Sequence, residues 1–330
     1  MAGRAAPREV EDAAAMIRAA VVGLGRWGRT SVEAVQGKSD RLRFTDAVSG
    51  HFDAHRDFAE KHGLTLVGTL DEALADPAVD AVVLTTPHSL HVEQTLAAAR
   101  AGKAVLCEKP LALTLAEAER AVAACREAGV VLGVGTDKRH FPAMRELFRI
   151  ADSGELGPLL HLEAHFSNEV SAAMEGWRHA PGESPAGGMT GTGIHVLDAM
   201  IRIAGPVRRV AAQFLSLKPT PDPLDSLAAV LEFESGVGGT IACVRSTPMF
   251  WRVHAFGRNG SAEALGRTEL VVRKSGAKPE RRQFPEVDSV CANLDAFADA
   301  VAGRAPFPIP PEQMLATVAA FEMIAKAVER

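Results

Sequence analysis

The sequence contains no tyrosine among its 330 residues. This absence excludes every mechanism in which a tyrosine hydroxyl serves as the catalytic acid. Cysteine is also scarce: Cys107, Cys125, Cys243 and Cys291 lie far apart and form no C-x-x-C pair. Such spacing is typical of buried apolar thiols in a reducing cytoplasm and provides no zinc-ligand set. We therefore expect a cytoplasmic protein without a bound metal.

Long apolar runs and an excess of positive charge are missing as well. No stretch approaches the roughly 20 apolar residues that cross a bilayer, and residues 1–15 lack the apolar segment of a secretory signal. The formal net charge of −5 gives no electrostatic reason to expect nucleic acid or an anionic membrane as a partner. We expect a globular chain that acts on a small molecule, with residues 1–15 as a flexible extension.

What the sequence does contain is a regular alternation of strands and helices from residue 17 to residue 134. The predicted strands, short and rich in β-branched residues, are Ile17–Gly23, Arg41–Ser49, Ala81–Thr85, Ala104–Cys107 and Val130–Val134. The segments between them have helical periodicity, and the last helix begins at Thr114 with Glu117 at capping-box spacing. This alternation indicates βαβ units, and therefore a parallel sheet with right-handed crossovers over residues 16–138.

The pattern changes in residues 139–330. Runs that alternate apolar and polar residues, typical of antiparallel strands, are Leu160–Phe166, Val207–Leu217, Ala228–Phe233 and Gly239–Val244. Helical periodicity covers Arg139–Asp152, Gly193–Ala204, Asn293–Ala302 and Pro311–Val328. We expect a C-terminal α+β domain in which a large, mostly antiparallel sheet keeps one face open.

A glycine-rich turn, Gly23-Leu24-Gly25-Arg26-Trp27-Gly28, follows the first strand and opens a helix. Gly23 permits a tight turn, Gly25 lets the backbone approach a pyrophosphate, and Gly28 allows close helix–strand packing. The free N–H groups and positive dipole end of the helix would then face the anion. We predict that this turn, including Arg26 and Trp27, binds a dinucleotide, so the fold class is α/β with an N-terminal Rossmann domain.

The tip of the second strand, Ala47-Val48-Ser49-Gly50-His51, contains no carboxylate. A carboxylate there usually binds the adenine ribose hydroxyls, and Asp46 lies too early in the strand for that role. Without it, nothing repels a 2′-phosphate, to which Ser49, His51 and Arg56 could donate. The sequence therefore predicts NADP(H) as the preferred cofactor, with NAD(H) possible and Gly50 in the same turn.

Two further segments follow predicted parallel strands, whose carboxyl ends face the ligand crevice. These segments supply predicted cofactor-binding residues: Thr85, Thr86, Pro87, His88, His91, Glu108, Lys109 and Pro110. A lysine in this crevice can polarise a substrate oxygen or move its proton. From position alone, however, Lys109 is equally compatible with a surface turn, and His195 is more typical of a satisfied core histidine.

The glycine turn, T-P-x-x-x-H, E-K-P and a helical G-x-H-x-x-D together resemble the Gfo/Idh/MocA oxidoreductases, over essentially the whole chain from Met16. The resemblance implies NAD(P)-dependent hydride transfer at a secondary alcohol or ketone of a sugar, cyclitol or related molecule. It also implies that Lys109 is the catalytic lysine, that His195 is the acid/base, and that the open sheet face forms a dimer or tetramer.

One position departs from the family pattern. Many members have an aspartate four residues before the histidine, where this chain has Gly191. The departure removes a group that would orient the histidine, unless Thr190 or Thr192 replaces it. Other candidate substrate contacts, each also compatible with packing or a surface position, are Arg139, His140, Trp177, Arg178 and Thr192. His161 and His165 could share a strand face but lack a third metal ligand.

Two alternatives to a dehydrogenase stay open at this point. The first is a nucleotide-binding regulator without catalysis, which only Gly191 favours. The second is an enzyme that retains and recycles its nicotinamide, so that the net reaction is a hydrolysis or an isomerisation.

Overall fold

A computed structural model of the chain describes residues 16–168, 177, 180, 182–215, 226–245 and 247–328. The first part of the chain alternates strands and helices as the sequence predicts. Its elements are Ile17–Val22 (β1), Arg26–Val35 (α1), Leu42–Val48 (β2), Phe52–His62 (α2), Thr65–Val67 (β3), Leu70–Ala75 (α3), Ala81–Leu84 (β4), His91–Arg100 (α4), Ala104–Cys107 (β5), Leu115–Ala128 (α5) and Leu132–Val134 (β6).

These strands form one parallel sheet in the order β3-β2-β1-β4-β5-β6. Strands β4 and β5 are buried on both faces, which explains their uninterrupted apolar sequences. The strand order reverses between β1 and β4, so the carboxyl ends of these two strands open into the crevice where such sheets bind ligands. The Rossmann prediction is confirmed, although the short β3 and α3 were not among the predicted elements.

The described residues of the remaining chain build a second sheet and four α-helices. Its elements are Pro142–Ser153 (α6), Leu159–Ser167 (β7), Ile194–Ala204 (α7), Val207–Leu215 (β8), Ser226–Phe233 (β9), Gly238–Val244 (β10), Phe250–Gly257 (β11), Gly260–Leu265 (β12), Glu269–Lys274 (β13), Glu280–Gln283 (β14), Ser289–Val301 (α8) and Pro311–Val328 (α9). Helix α6 begins at Pro142 rather than at Arg139, because residues 137–140 form a separate 3-10 turn.

The second sheet has the strand order β14-β13-β12-β11-β7-β10-β9-β8. Every pair is antiparallel except β7 with β10, which confirms a mostly antiparallel sheet. Strands β11 to β14 were not predicted. Their apolar pattern is interrupted because Arg252 and Arg273 form cross-strand ion pairs with Glu263, whose side chain is buried on the face away from the helices.

The two last helices connect the sheets. Leu294 and Phe297 of α8 pack in a core with β1 and β2, so this helix returns to the first sheet. Helix α9 contributes Val318 to the core of the first sheet and Phe321 to the core of the second. In the described ranges, no helix combines the length and apolarity needed to cross a bilayer. The same ranges contain no group of three His, Cys, Asp or Glu side chains that could hold a metal.

Candidate active site

The glycine-rich turn has the geometry of a phosphate cradle. Gly23 has φ of +94°, a conformation that favours glycine. A Cβ on Gly28 would lie 1.9 Å from the carbonyl oxygen of Gly23, whereas a Cβ on Gly25 would meet no atom within 4 Å. Helix α1 has no side-chain cap and no acidic residue in its first turn. Its first N–H groups are therefore available to an anion in the open space above Gly25.

Thr85 holds this turn from the neighbouring strand. Its hydroxyl donates to the carbonyl oxygens of Gly23, at 2.6 Å, and Val22, at 3.0 Å. The hydroxyl is thus engaged in fixing the glycine turn to β4, which is a different role from the direct cofactor contact expected for it.

The tip of β2 is open to solvent. Gly50 and His51 are exposed, and Ser49 is half-buried with its hydroxyl oxygen accepting from the His51 N–H at 3.1 Å. Asp46 is buried within the strand, beside the Thr45 hydroxyl. Arg56 is exposed and pairs with Asp53 at 2.8 Å, so its guanidinium is turned toward a carboxylate of its own helix.

A basic residue that sequence analysis missed lies close to this tip. Arg29 of α1 donates to Nδ1 of His55 at 3.0 Å and stacks over Phe58. Burial lowers the pKa of His55, and the nearby charges of Arg29 and His51 lower it further. Arg29 therefore adds a positive charge close to the tip of β2.

Polar contacts of Thr86 and His91 stabilise the loop after β4. Thr86 donates to the side-chain oxygen of Gln94 at 2.6 Å. His91 is fully buried, with Nδ1 2.8 Å from the Pro110 carbonyl oxygen and Nε2 3.1 Å from that of Thr86. Burial lowers the pKa of His91, and the two carbonyl contacts oppose this only in part. His91 thus joins the loop after β4 to the Lys109-Pro110 segment, whose peptide bond is cis.

Glu108 connects the lysine segment to the glycine turn. The Trp27 indole donates to its carboxylate. Gly135 leaves the necessary room, since a Cβ there would lie 2.3 Å from Glu108 Oε1. Burial raises the pKa of Glu108 to about 7, while Lys109 acts in the opposite direction. Trp27 and Glu108, both predicted to bind cofactor, therefore contact each other at the mouth of the crevice.

Lys109 reaches from the first sheet to the second part of the chain. Its Nζ donates to the Gly191 carbonyl oxygen at 2.7 Å and lies 3.5 Å from that of Thr190. Both carbonyls belong to the π-helical turn Met189–Gly193, which leads into α7. The lysine is thus oriented by backbone oxygens at the position where many family members have a carboxylate.

The two threonine hydroxyls that could have replaced that carboxylate are engaged elsewhere. Thr190 donates to the Pro185 carbonyl oxygen, and Thr192 donates to that of Gly188 at 2.7 Å. Both residues are buried. Hydrogen bonds within the turn therefore use the hydroxyls, and Thr192 is better described as a turn-stabilising residue than as a substrate contact.

His195 begins the first turn of α7 and is 5% exposed. Its ring meets Phe166 edge-on, and its Nδ1 has no hydrogen-bond partner in the described part of the chain. Burial holds the pKa of His195 well below its usual range, and the charges of Lys109 and Lys138 lower it further. The imidazole is therefore neutral at physiological pH and can accept a proton only when a new charge partner arrives.

Arg139 and His140 do not line the small cavity to which Lys109 and Asp198 contribute. Both line a separate cavity of about 730 Å³, to which α6 and α8 contribute and Lys109 does not. Arg139 is committed to a buried bidentate pair with Asp198, at 2.6 and 2.8 Å, and to the Gln313 side chain. Arg139 thus anchors α7 and His140 lines the second cavity, and their contact with substrate stays a prediction.

The remaining expected contacts have different outcomes. The Trp177 and His88 rings pack edge to face, with their centroids 4.8 Å apart, so the indole contacts the loop after β4. Arg178 lies outside the described residues. His165 donates to, or accepts from, the Ser167 hydroxyl at 2.5 Å. Glu183, which is buried and contacts His88, was missed because a single glutamate between Gly182 and Ser184 carries no motif.

Comparisons with known proteins agree with this geometry. Residues 17–136 match the family model for the Gfo/Idh/MocA oxidoreductase family with an NAD-binding Rossmann fold, and residues 144–263 match the Gfo/Idh/MocA C-terminal domain. A 1,5-anhydro-D-fructose reductase from Ensifer adhaerens is 33% identical over 214 residues, which are 64% of this chain and 63% of that protein.

Two further proteins extend the comparison. A trans-1,2-dihydrobenzene-1,2-diol dehydrogenase from Oryctolagus cuniculus is 30% identical, and the match covers 69% of each chain. The crystal structure of an aldose–aldose oxidoreductase from Caulobacter crescentus, complexed with glycerol, superimposes with a TM-score of 0.84 at 25% identity. That superposition covers 95% of this chain and 98% of the other.

Alanine at Gly25 and at Gly28 should separate cofactor binding from folding. Gly28→Ala places a methyl group on a backbone oxygen and should cost about 1–3 kcal/mol of stability. Gly25→Ala meets no protein atom, so its melting temperature should stay unchanged while NADPH binding weakens by about tenfold or more. Thermal unfolding and nicotinamide fluorescence titration measure the two effects. Wild-type NADPH affinity in Gly25→Ala would contradict the placement of a pyrophosphate above this residue.

Glu108 should give the protein a fluorescence titration near pH 7. Ionisation of the Glu108 carboxyl changes the charge of the group beside the Trp27 indole. The tryptophan emission should therefore change most steeply with pH near the pKa of Glu108, and Glu108→Gln should abolish this change. Because the folded pKa is raised, the wild type should also lose stability relative to Glu108→Gln as the pH rises from about 5 to 8. An unchanged inflection in Glu108→Gln would assign the titration to another group.

Proposed function

Because this chain belongs to the Gfo/Idh/MocA family of oxidoreductases, we propose that it transfers a hydride between NADP(H) and a small hydroxylated substrate. The substrate class is a secondary alcohol or ketone of a sugar, a cyclitol or a related molecule. The observation that carries this proposal is the position of Lys109, which extends from the cofactor crevice to the turn preceding the buried, neutral His195.

The residues at the crevice fit a dinucleotide. The uncapped N-terminus of α1 and the open space at Gly25 would receive the pyrophosphate. Ser49 and His51 would receive the 2′-phosphate, and the basic Arg29 beside them supports NADP(H) over NAD(H). Arg56 pairs with Asp53 and would therefore contribute less to binding of the 2′-phosphate than its position in the sequence suggests. The bound nicotinamide would supply or accept the hydride.

Lys109 and His195 divide the remaining chemistry between them. The Lys109 ammonium would donate to the substrate oxygen and stabilise negative charge on it, while the Gly191 carbonyl holds the lysine in place. In the oxidative direction the neutral His195 would take the hydroxyl proton, and in the reductive direction the imidazolium would return it. The low pKa of His195 makes it a ready proton donor once it is charged.

The outward face of the second sheet is the surface we propose for self-association into a dimer or tetramer. Val230 and Leu215 are exposed there on neighbouring strands, with Phe250 further along the same sheet. A row of polar and charged side chains, Glu163, His254 and Glu263, crosses the face between paired strands. A face that mixes exposed apolar groups with buried charges is typical of a surface that a second copy covers.

Substitution of Lys109 or His195 tests the catalytic assignment. We expect Lys109→Ala and His195→Asn to lower kcat/KM by about 10² to 10⁴. NADPH affinity should change little in His195→Asn. The first assay is reduction of 1,5-anhydro-D-fructose with NADPH, because the reductase from Ensifer adhaerens is 33% identical. Full activity of Lys109→Ala on any substrate would overturn the assignment, and nucleotide retained through desalting would favour the cofactor-recycling alternative.

A carboxylate at the tip of β2 tests the cofactor preference. The wild type should bind NADPH about tenfold more tightly than NADH at one ionic strength. Ser49→Asp should reverse this order, because its charge repels the 2′-phosphate and can accept from the ribose hydroxyls. Ser49→Asn, equal in size but neutral, should leave NADPH preferred. A wild type that favours NADH tenfold would contradict the proposed preference.

A further inference from the structure

The helix that follows the β4 loop lacks a cap within its own sequence. A 3-10 turn, His88–Leu90, continues directly into α4, and no side chain of Pro87 or Leu90 caps either element. Uncapped N–H groups at a helix start require an acceptor when they are shielded from water. The acceptor here is Glu183, a residue 94 positions later in the chain: its Oε2 accepts the Ser89 N–H at 3.2 Å, and its Oε1 accepts the Ser89 hydroxyl.

Glu183 is held in place by its backbone oxygen as well as by its carboxylate. Its backbone oxygen accepts from Nδ1 of His88 at 2.6 Å, and the residue is buried, with 7% of its surface exposed. A buried carboxylate is stable where it meets N–H and O–H donors and the positive end of a helix. The contact therefore fixes the glutamate against the first sheet, although its neighbours in sequence belong to the second part of the chain.

The same segment also holds Lys109. Eight residues after Glu183, the Gly191 carbonyl accepts from Nζ of this lysine at 2.7 Å. Between the two points, Met189 is fully buried in the core of the second sheet, and Ala186 adopts φ of +57°. The segment 182–191 is thus attached to the first sheet at Glu183 and at Gly191, and to the second sheet at Met189.

We propose that Glu183 is a positioning residue that caps the His88–Leu90 turn from across the cleft and thereby holds the Gly191 carbonyl where it orients Lys109. The inference rests on the catalytic role proposed for Lys109. Loss of the Glu183 carboxylate removes two hydrogen bonds that attach this segment to the first sheet and leaves the backbone contact with His88, so the segment carrying Gly191 gains freedom to move and the ammonium loses its fixed direction. The cap thus affects the reaction through the lysine and without touching the substrate.

Glu117 provides a matched control for this proposal. It also lies at a helix start, where its carboxylate accepts the Thr114 hydroxyl at 3.0 Å, but both partners belong to α5. Glu183→Ala and Glu117→Ala therefore each remove a carboxylate from a helix N-terminus, and each should lower the melting temperature. Only the first removes a contact that crosses the cleft.

The decisive measurement is the acetylation rate of Lys109 under trace labelling with acetic anhydride, read by peptide mass spectrometry against exposed Lys278. Glu183→Ala should raise the Lys109 rate by about threefold or more, because Nζ is released from its carbonyl partner. Glu117→Ala should leave it unchanged. If Glu183→Ala fails to fold, Glu183→Gln takes its place, since its amide can accept only one of the two bonds. Equal Lys109 rates in wild type and both Glu183 variants would overturn the proposal.

Kinetics with NADPH and 1,5-anhydro-D-fructose separate this proposal from the proposed function. Glu183→Ala should lower kcat by about tenfold while the NADPH dissociation constant stays within about twofold. Ser89→Ala should have a smaller effect and should not add to Glu183→Ala. If Lys109→Ala keeps full activity, the role of the lysine is wrong. If Lys109→Ala is inactive while Glu183→Ala has wild-type kcat and Lys109 labelling, only the positioning role of Glu183 is wrong.

Discussion

The buried ion pair between Arg139 and Asp198 fixes the relation between the two sheets. Arg139 lies in the turn after β6, and Asp198 lies in α7, one turn after His195. Both side chains are almost fully buried, and the third partner, Gln313, belongs to α9. Removing one member of such a pair leaves an uncompensated charge and typically costs about 3–5 kcal/mol. The ion pair therefore holds helix α7 against the Rossmann sheet, and it holds His195 in the same helix in place.

The position of α7 brings His195 close enough to Lys109 for the lysine charge to act on it, as the same charge acts on Glu108. Burial raises the pKa of Glu108 to about 7 and depresses that of His195. The Lys109 charge opposes the first shift and reinforces the second. One ammonium thus favours an ionised glutamate on one side and a neutral imidazole on the other. Groups with divergent pKa values in one crevice are the usual basis for separate acid and base roles.

The sequence predicts those parts of the molecule in which local chemistry determines structure. Gly23 and Gly28 are identifiable because a tight turn and a close backbone approach exclude other residues. Lys109 is placed near the crevice by the end of a parallel strand, and its catalytic role is predicted from the resemblance of the E-K-P motif to the family. The contacts of the Arg139 and Glu183 side chains cannot be predicted from the sequence. Their hydrogen-bond partners lie 59 and 94–95 residues away in sequence, and no periodicity links them.

The same distinction explains the errors in the second half. Strands β8 to β10 alternate clearly, since their outward residues are exposed, and they are predicted to within a few residues. In β11, by contrast, Val253, His254 and Ala255 are all buried, so the apolar period is lost. Its outward charges are satisfied by neighbouring strands, and such cross-strand pairing becomes visible only when the register is known.

Gly191 shows how a missing side chain can change a site without changing its fold. A Cβ at this position would meet nothing within 4 Å, and its φ is not positive, so neither packing nor backbone conformation requires glycine. What the glycine changes is chemical: it adds no carboxylate beside Lys109, whose Nζ donates to the Gly191 backbone oxygen. A carbonyl orients the ammonium without neutralising its charge. On the proposed role of Lys109, that charge stabilises an oxyanion developing on the substrate in oxidation and in reduction alike, because both directions pass through the same transition state.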